Sequence, residues 1–241
     1  MGDTADGRVR DIFLGLDTSG FQTGLALVSG GAVLYETRSS AGTSHNESLL
    51  LLIRRALDAA GLQLDQLRGI CLTIGPGMWT GLRVGLSTVK GLALPKGIAV
   101  KGVNTLRVIA ATAGAGGGAV LAVMDARRNE LYAALYHGTR VLIPPQAGAS
   151  PFLGRLVAER QPPGDLLLAG DGSELIKPVL SAMGIRFVDS GVRLPEPAVI
   201  VRLGVELLKS EGPDRLSELE PVYLRRTDAE INLEGRLKGG L

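Results

Sequence analysis

The sequence predicts an α/β fold made of two copies of one unit, each opening with a three-stranded antiparallel meander and continuing with helices and strands. Three observations point there. Apolar runs of strand length alternate with stretches of helical periodicity. Hairpin signals recur at a fixed offset: Gly30 follows Asp17 as Gly138 follows Asp125, and the two glycines are 108 residues apart (138 − 30 = 108). The same offset carries Leu27 onto Leu135, Val33 onto Val141 and Leu34 onto Leu142, as a duplicated unit would. Finally, Gly114-Ala115-Gly116-Gly117-Gly118 breaks the chain between the copies. The expected halves are 11–113 and 119–226, with 227–241 as a polar, mobile tail.

A chain of 241 residues with 45% hydrophobic content can bury a sizeable core. Its formal net charge is only +2, too small a basic excess for autonomous nucleic-acid binding, so RNA would be reached through a partner. Cys71, the single cysteine, stands inside an apolar run and reads as a buried small hydrophobe. Met1 to Asp11 is polar with no apolar h-region, and no later run nears the roughly 18 residues of a membrane span. The expected location is cytoplasmic, with no membrane association.

In the first half, Asp11 to Asp17 reads as a buried strand ending in a carboxylate, followed by a turn at Thr18-Ser19-Gly20. Thr23 to Ser29 and Ala32 to Thr37 flank Gly30-Gly31, a tight hairpin connection. Ser44-His45-Asn46-Glu47 is a capping box that opens a helix stopping at Gly61. Leu49, Leu50, Leu52, Ile53, Ala56, Leu57, Ala59 and Ala60 cover an arc of about 180° on that helix, against the roughly 100° that one core contact needs. It should therefore touch its own sheet and something else.

The strand Ile70 to Ile74 runs into Gly75-Pro76-Gly77-Met78-Trp79-Thr80-Gly81-Leu82-Arg83-Val84-Gly85, which opens a helix to about Leu94 with Thr80 as its N-cap. Leu82, Leu86, Val89 and Ala93 take core spacing, while Gly81, Gly85 and Thr88 form a small-residue side open to close approach by another helix. Gly97 to Val100 is a short strand, and Asn104 or Thr105 caps a helix to Ala113. In the second half, Ala119 to Met124 is a strand ending in Asp125. Helices follow at Pro151 to Arg160, from Gly170-Asp171-Gly172-Ser173 to Met183, and from Pro197 to about Lys209. Strands fall at Leu166 to Ala169 and Arg186 to Val188.

A glycine loop at a helix start can cradle phosphate. This one lacks the Gly-Lys-Ser/Thr ending of a P-loop and the G-x-G-x-x-G order of a dinucleotide fold, so a tight turn with close packing stands beside the phosphate reading. Asp17 and Asp125 read either as caps of the turns that follow them or as carboxylates facing a metal or phosphate. Arg127, in the charged loop Asp125 to Glu130, reads as an anion or partner contact or as part of a solvated hairpin. His45 and His137 form no His-x-x-x-His pair, and His45 is placed at a helix start or partner contact rather than on a metal. Neither histidine has a context for Ser/His/Asp catalysis.

Paired meanders of this kind, each with an Asp ending its first strand, resemble the duplicated βββαβα fold of actin, Hsp70 and the sugar kinases (ASKHA), which holds ATP between its halves. More specifically, Leu14-Gly15-Leu16-Asp17-Thr18-Ser19, the glycine stretch Gly75 to Gly85, Val123-Met124-Asp125-Ala126-Arg127 with Glu130-Leu131-Tyr132, and Pro221-Val222-Tyr223-Leu224-Arg225 resemble the TsaB (YeaZ) family over about Ile12 to Arg226. Where that family has Ser-Phe, this chain has Met78-Trp79.

The resemblance implies a non-catalytic subunit needed for threonylcarbamoyl transfer to N6 of adenosine 37 in tRNAs reading ANN codons. It implies pairing with the catalytic relative TsaD, which carries the metal-binding histidines, and recruitment of the ATPase TsaE. The expected interface is His45, Leu49, Leu50, Ile53, Arg54, Leu57, Trp79, Gly81, Leu82, Gly85, Thr88 and Val89, used with TsaD or in a homodimer. No metal or cofactor is expected on this chain alone; ATP or ADP would belong to the assembled complex. The alternative is a free-standing sugar or acetate-type kinase, or a metal-dependent glycoprotein peptidase, of the same superfold.

Overall fold

In the computed structural model, which describes residues 11–40, 49–114, 118–160 and 164–225, β1 (Ile12–Asp17) is the middle strand of a five-stranded sheet. It pairs antiparallel with β2 (Gln22–Ser29), which pairs antiparallel with β3 (Ala32–Ser40). On its other side it pairs parallel with β4 (Leu67–Gly75), which pairs parallel with β5 (Ala99–Asn104). Helices α1 (Leu49–Ala59), α2 (Trp79–Ala93) and α3 (Thr105–Ala113) make the connections.

The second sheet repeats this plan. β6 (Ala119–Arg127) is central, β7 (Glu130–His137) and β8 (Arg140–Ala149) complete the meander, and β9 (Leu166–Ala169) and β10 (Phe187–Asp189) run parallel beside β6, with α4 (Ser150–Arg160) and α5 (Ser173–Ala182) between them. The last helix is α6 (Pro197–Glu211). The duplication extends to the register. Leu27 pairs with Tyr35 and Val28 with Val33 across a shift, and 108 residues later Leu135 pairs with Ile143 and Tyr136 with Val141 across the same shift.

Both faces of the first sheet are covered, which is why its strands read as near-continuous apolar runs. Leu14, Leu16, Leu25, Leu27, Ile70 and Leu72 pack with Ile53, Ala56 and Leu57 of α1 and Leu86 and Val89 of α2. On the opposite face Cys71 and Val103 pack with Val108 of α3 and with Ile200 and Leu203 of α6, while Ala26 and Val28 pack with Val201. Gly15 permits this: a Cβ there would lie 2.4 Å from the Pro197 carbonyl oxygen. Burial pushes the Cys71 thiol up to about 12, as expected of a cysteine that serves as a small hydrophobe.

The chain therefore forms two compact units whose borders differ from contiguous halves. One runs to Thr112 and takes back Leu194–Pro221; the other is Ala113–Arg193 with the residues from Val222. The expected half 119–226 assigned α6 to the second copy, whereas α6 covers the first sheet. The segment after it is tied to the same unit. Lys101, buried on β5, lies 2.8 Å from both Asp214 and Glu211 carboxylates, Asp214 accepts the Gly102 N–H at 2.7 Å, and the Asp214 N–H donates to the Val100 carbonyl. Burial draws the Lys101 pKa down, but hydrogen bonds to the two carboxylates outweigh that and leave it raised.

Two local expectations change. The N-cap of α2 is Met78, which makes no side-chain cap bond, rather than Thr80. The Met78 N–H donates to the Ser19 carbonyl at 2.7 Å, so contact with the β1–β2 turn fixes the helix start. The strand expected at Gly97 to Val100 runs instead from Ala99 to Asn104, and Asn104 caps α3 by accepting the Arg107 N–H at 3.2 Å. The capping box Ser44 to Glu47, with His45, lies outside the described residues, as does the tail 227–241.

Candidate functional site

Asp17 ends β1 and is buried. Its Oδ1 accepts the Ser19 N–H at 3.0 Å, the Ser19 hydroxyl at 2.6 Å and the Thr73 hydroxyl at 2.7 Å. Burial raises its pKa against the opposing pull of those three hydrogen bonds and of Arg38. Thr18 and Ser19 are buried too, because the glycine stretch receives them. A Cβ at Gly77 would lie 2.4 Å from the Ser19 carbonyl oxygen, at Gly81 2.2 Å from the Thr18 carbonyl oxygen, and at Gly85 2.2 Å from Thr18 Oγ1. Gly81 and Gly85 share one side of α2 at four-residue spacing, and with Gly77 just ahead of the helix they form the trough in which Thr18-Ser19 lies.

That geometry corrects one expectation. The small-residue side at Gly81 and Gly85 is filled by the chain's own β1–β2 turn, not held open for a partner helix. At this turn the Asp17 carboxylate, the Ser19 N–H and the Met78 N–H are engaged within the unit. The clue in the sequence was the pairing of Gly-x-x-x-Gly-x-x-x-Gly with Asp-Thr-Ser, which spacing alone could not connect.

The second unit carries the counterpart turn. Asp125 Oδ1 accepts the Arg127 N–H at 2.7 Å, the same i, i+2 bond that Asp17 makes 108 residues earlier, and Arg127 Nη1 lies 3.0 Å from Asp125 Oδ2. Asp125 and Arg127 thus meet in one turn, where Arg127, Arg128 and Asn129 all hold positive φ. Asp171 joins them: its Oδ1 accepts the Asp125 N–H at 3.0 Å. Burial raises the Asp171 pKa, and the Asp125 charge adds to the rise. Gly170 and Gly172 let that loop lie flat on β6, where added Cβ atoms would sit 1.9 Å from the Val123 carbonyl oxygen and 2.8 Å from the Met124 carbonyl carbon. At the start of β7, Arg225 lies 3.3 Å from Glu130 and next to Tyr132, so the closing Tyr-Leu-Arg motif folds back on this unit. Among the described residues no three His, Cys, Asp or Glu side chains group as metal ligands would. No described helix is long and apolar enough to cross a membrane.

The residues expected at a partner interface divide by burial. Ile53, Leu57, Leu82, Gly85 and Val89 are buried in the first unit, since α1 and α2 need half of their apolar arc for their own sheet. These five are corrections. Leu50 is 50% exposed, Arg54 and Trp79 are exposed, and Leu49, Gly81 and Thr88 are half-buried. Arg83 stacks its guanidinium 4.3 Å from the Trp79 ring centre. Leu51 and Val84, at 49%, are further exposed apolar residues on these two helices, Leu94 at 73% lies just past the end of α2, and a Cβ at Gly91 would meet open space.

Comparison with known proteins fits this architecture. A family model described as TsaD, tRNA N6-adenosine threonylcarbamoyltransferase, matches residues 38–146. The tRNA threonylcarbamoyladenosine biosynthesis protein TsaB of Escherichia coli is 29% identical over 80% of this chain and 85% of its own length; that of Bacillus subtilis is 28% identical over 90% and 95%. The tRNA N6-adenosine threonylcarbamoyltransferase of Tropheryma whipplei is 40% identical, but over 39% of this chain and 27% of its own. Among solved structures, YeaZ from Pseudomonas aeruginosa superposes with a TM-score of 0.71 at 27% identity, covering 89% of this chain and all of that one. A second Pseudomonas aeruginosa structure, of a protein similar to YeaZ, gives 0.75 at 26% over the same shares. In sequence along most of its length and in its duplicated fold, the chain is similar to the TsaB (YeaZ) proteins.

Proposed function

We propose that this chain is a non-catalytic subunit in the biosynthesis of threonylcarbamoyladenosine in tRNA, acting by pairing with a TsaD catalytic subunit through the exposed side of α1 and α2. The observation that carries the reading is the likeness to two TsaB proteins over most of their length. The local chemistry agrees with a binding role. Asp17 is consumed by hydrogen bonds inside its own unit, and the glycine stretch is a packing device for Thr18-Ser19. What the two helices leave outward includes the apolar Leu50, Leu51 and Val84, with Leu94 just past α2, beside the charged Arg54, Arg55, Asp58 and Arg83. Fully burying a Leu or Val side chain is worth about 1.5–3 kcal/mol, so a few such side chains can anchor a partner. On this reading TsaE joins the pair, tRNA is reached only through the complex, and ATP or ADP belongs to the assembly.

Leu50→Arg tests it. Because Leu50 is half exposed, the variant keeps its thermal midpoint within a few degrees while its affinity for TsaD falls at least about tenfold, the loss expected when an interface anchor is replaced by a charge. Unchanged co-purification with TsaD contradicts the assignment of this surface. Gly85 is unsuited to such a test, since any side chain there strikes Thr18.

A further inference from the structure

We propose that the catalytic subunit presents an acidic face to α1 and α2, its carboxylates meeting Arg54, Arg55 and Arg83 around an apolar contact with Leu51 and Val84. This rests on the pairing through α1 and α2. The charge on the two helices is one-sided. α1 holds Arg54 and Arg55 against Asp58, and α2 holds Arg83 and Lys90 with no acidic residue. Other helices match their charges: Glu174 pairs with Lys177 in α5, and Arg202 lies 3.7 Å from Glu206 in α6. With a formal net charge of only +2 over the whole chain, the excess on α1 and α2 is local.

Helical periodicity sets the cations around the apolar side chains. Arg54 and Arg55 follow Leu51 by three and four residues, one turn along α1, and Arg83 adjoins Val84 on α2. All five residues are exposed. Arg54 lies 3.7 Å from Asp58, but with the two side chains 80% and 64% exposed such a pair is worth about 0.2–1 kcal/mol and exchanges readily for a better carboxylate. Arg83 is stacked 4.3 Å from the Trp79 ring centre. Stacking engages the flat face of a guanidinium, whereas carboxylates are bound by its in-plane N–H donors, so the contact that fixes Arg83 also presents it.

An acidic protein face suits this pattern better than RNA does. Both would meet the arginines, but a phosphate backbone offers no apolar surface to Leu51 and Val84. Charge pairs at the rim of an apolar contact act chiefly on the rate of encounter and on the choice of partner. The signature is therefore an association rate that depends on salt.

Stopped-flow association of the full-length chain with TsaD tests this. For the unmodified chain the rate falls at least about tenfold between about 20 and about 500 mM NaCl, as the screening length shrinks from roughly 20 Å to roughly 4 Å. The double variant Arg54→Glu, Arg83→Glu associates at least about tenfold more slowly than the unmodified chain at the low salt and at nearly the same rate at the high salt. Arg54→Lys with Arg83→Lys keeps most of the rate, because the charge stays. Leu50→Arg acts instead on dissociation, which it speeds at both salts. A salt-independent rate for the unmodified chain, or a folded charge-reversed variant that associates as fast, overturns the acidic face while Leu50→Arg still reports the pairing. Cross-linking to tRNA that the charge reversal abolishes, with TsaD kinetics untouched, would assign the arginines to RNA and overturn it equally. An unmodified chain that does not bind TsaD, or a Leu50→Arg chain that dissociates as slowly as the unmodified one, contradicts the pairing itself and the acidic face with it.

Discussion

Gly85 and Thr18 carry the tightest contact between the β1–β2 turn and α2. Ordinarily Gly→Ala inside a helix gains about 1 kcal/mol of helix propensity. Here the new methyl would sit 2.2 Å from Thr18 Oγ1, and overpacking of this kind costs about 1–3 kcal/mol. Gly85→Ala should therefore lower the denaturant midpoint, and Thr18→Ala in the same chain should restore most of the loss, a coupling that a double-mutant cycle reads directly. Independent, additive effects of the two substitutions would mean that the helix does not rest on this turn. At this scale the sequence exposed the residues but not their partners. The glycines, Asp17 and Arg127 all stood out, yet what a glycine leaves room for depends on which backbone the fold brings to it, and spacing along one helix is silent on that. For the same reason the sequence does not separate Ile53, Leu57, Leu82 and Val89 from Leu50: a helical wheel shows how wide an apolar arc is, not which part its own sheet takes.

Among the elements, α6 departs furthest from the reading by contiguous halves. Its periodicity and its Pro197 start were legible, because Pro is well suited to the first helical position. Its destination was not, since the signals that place it, Gly15 under Pro197 and Gly204 against Cys71, are single glycines in distant segments. Ile200 is buried between α6 and the first sheet. Ile200→Asp puts an unpaired carboxylate there, at a cost of several kcal/mol. Amide exchange should then accelerate in β1, β2 and β4, more than 100 residues upstream (200 − 75 = 125 to the end of β4). Acceleration confined to Ala113–Arg193 would place α6 with the other unit.

Across the whole molecule, the duplication was the most legible property, since an internal offset needs no knowledge of tertiary contacts. It fixed the two meanders, the matching hairpins and the paired Asp turns. The two copies then diverge in their turns and their edges. The Asp17 turn is buried and sealed by glycines, whereas the Asp125 turn is more open and meets Asp171, and β8 holds two prolines whereas β3 holds none. On the proposed function, a chain whose first carboxylate turn is closed on itself, and whose α1 and α2 expose Leu50, Leu51 and Val84, supports chemistry carried out by a partner. The most direct test of that account is tRNA modification reconstituted from TsaD, TsaE, the threonylcarbamoyl donor and unmodified tRNA, with and without this chain. Threonylcarbamoyladenosine should accumulate only when the chain is present, and Leu50→Arg should lose most of that stimulation. Equal accumulation without the chain would contradict the account.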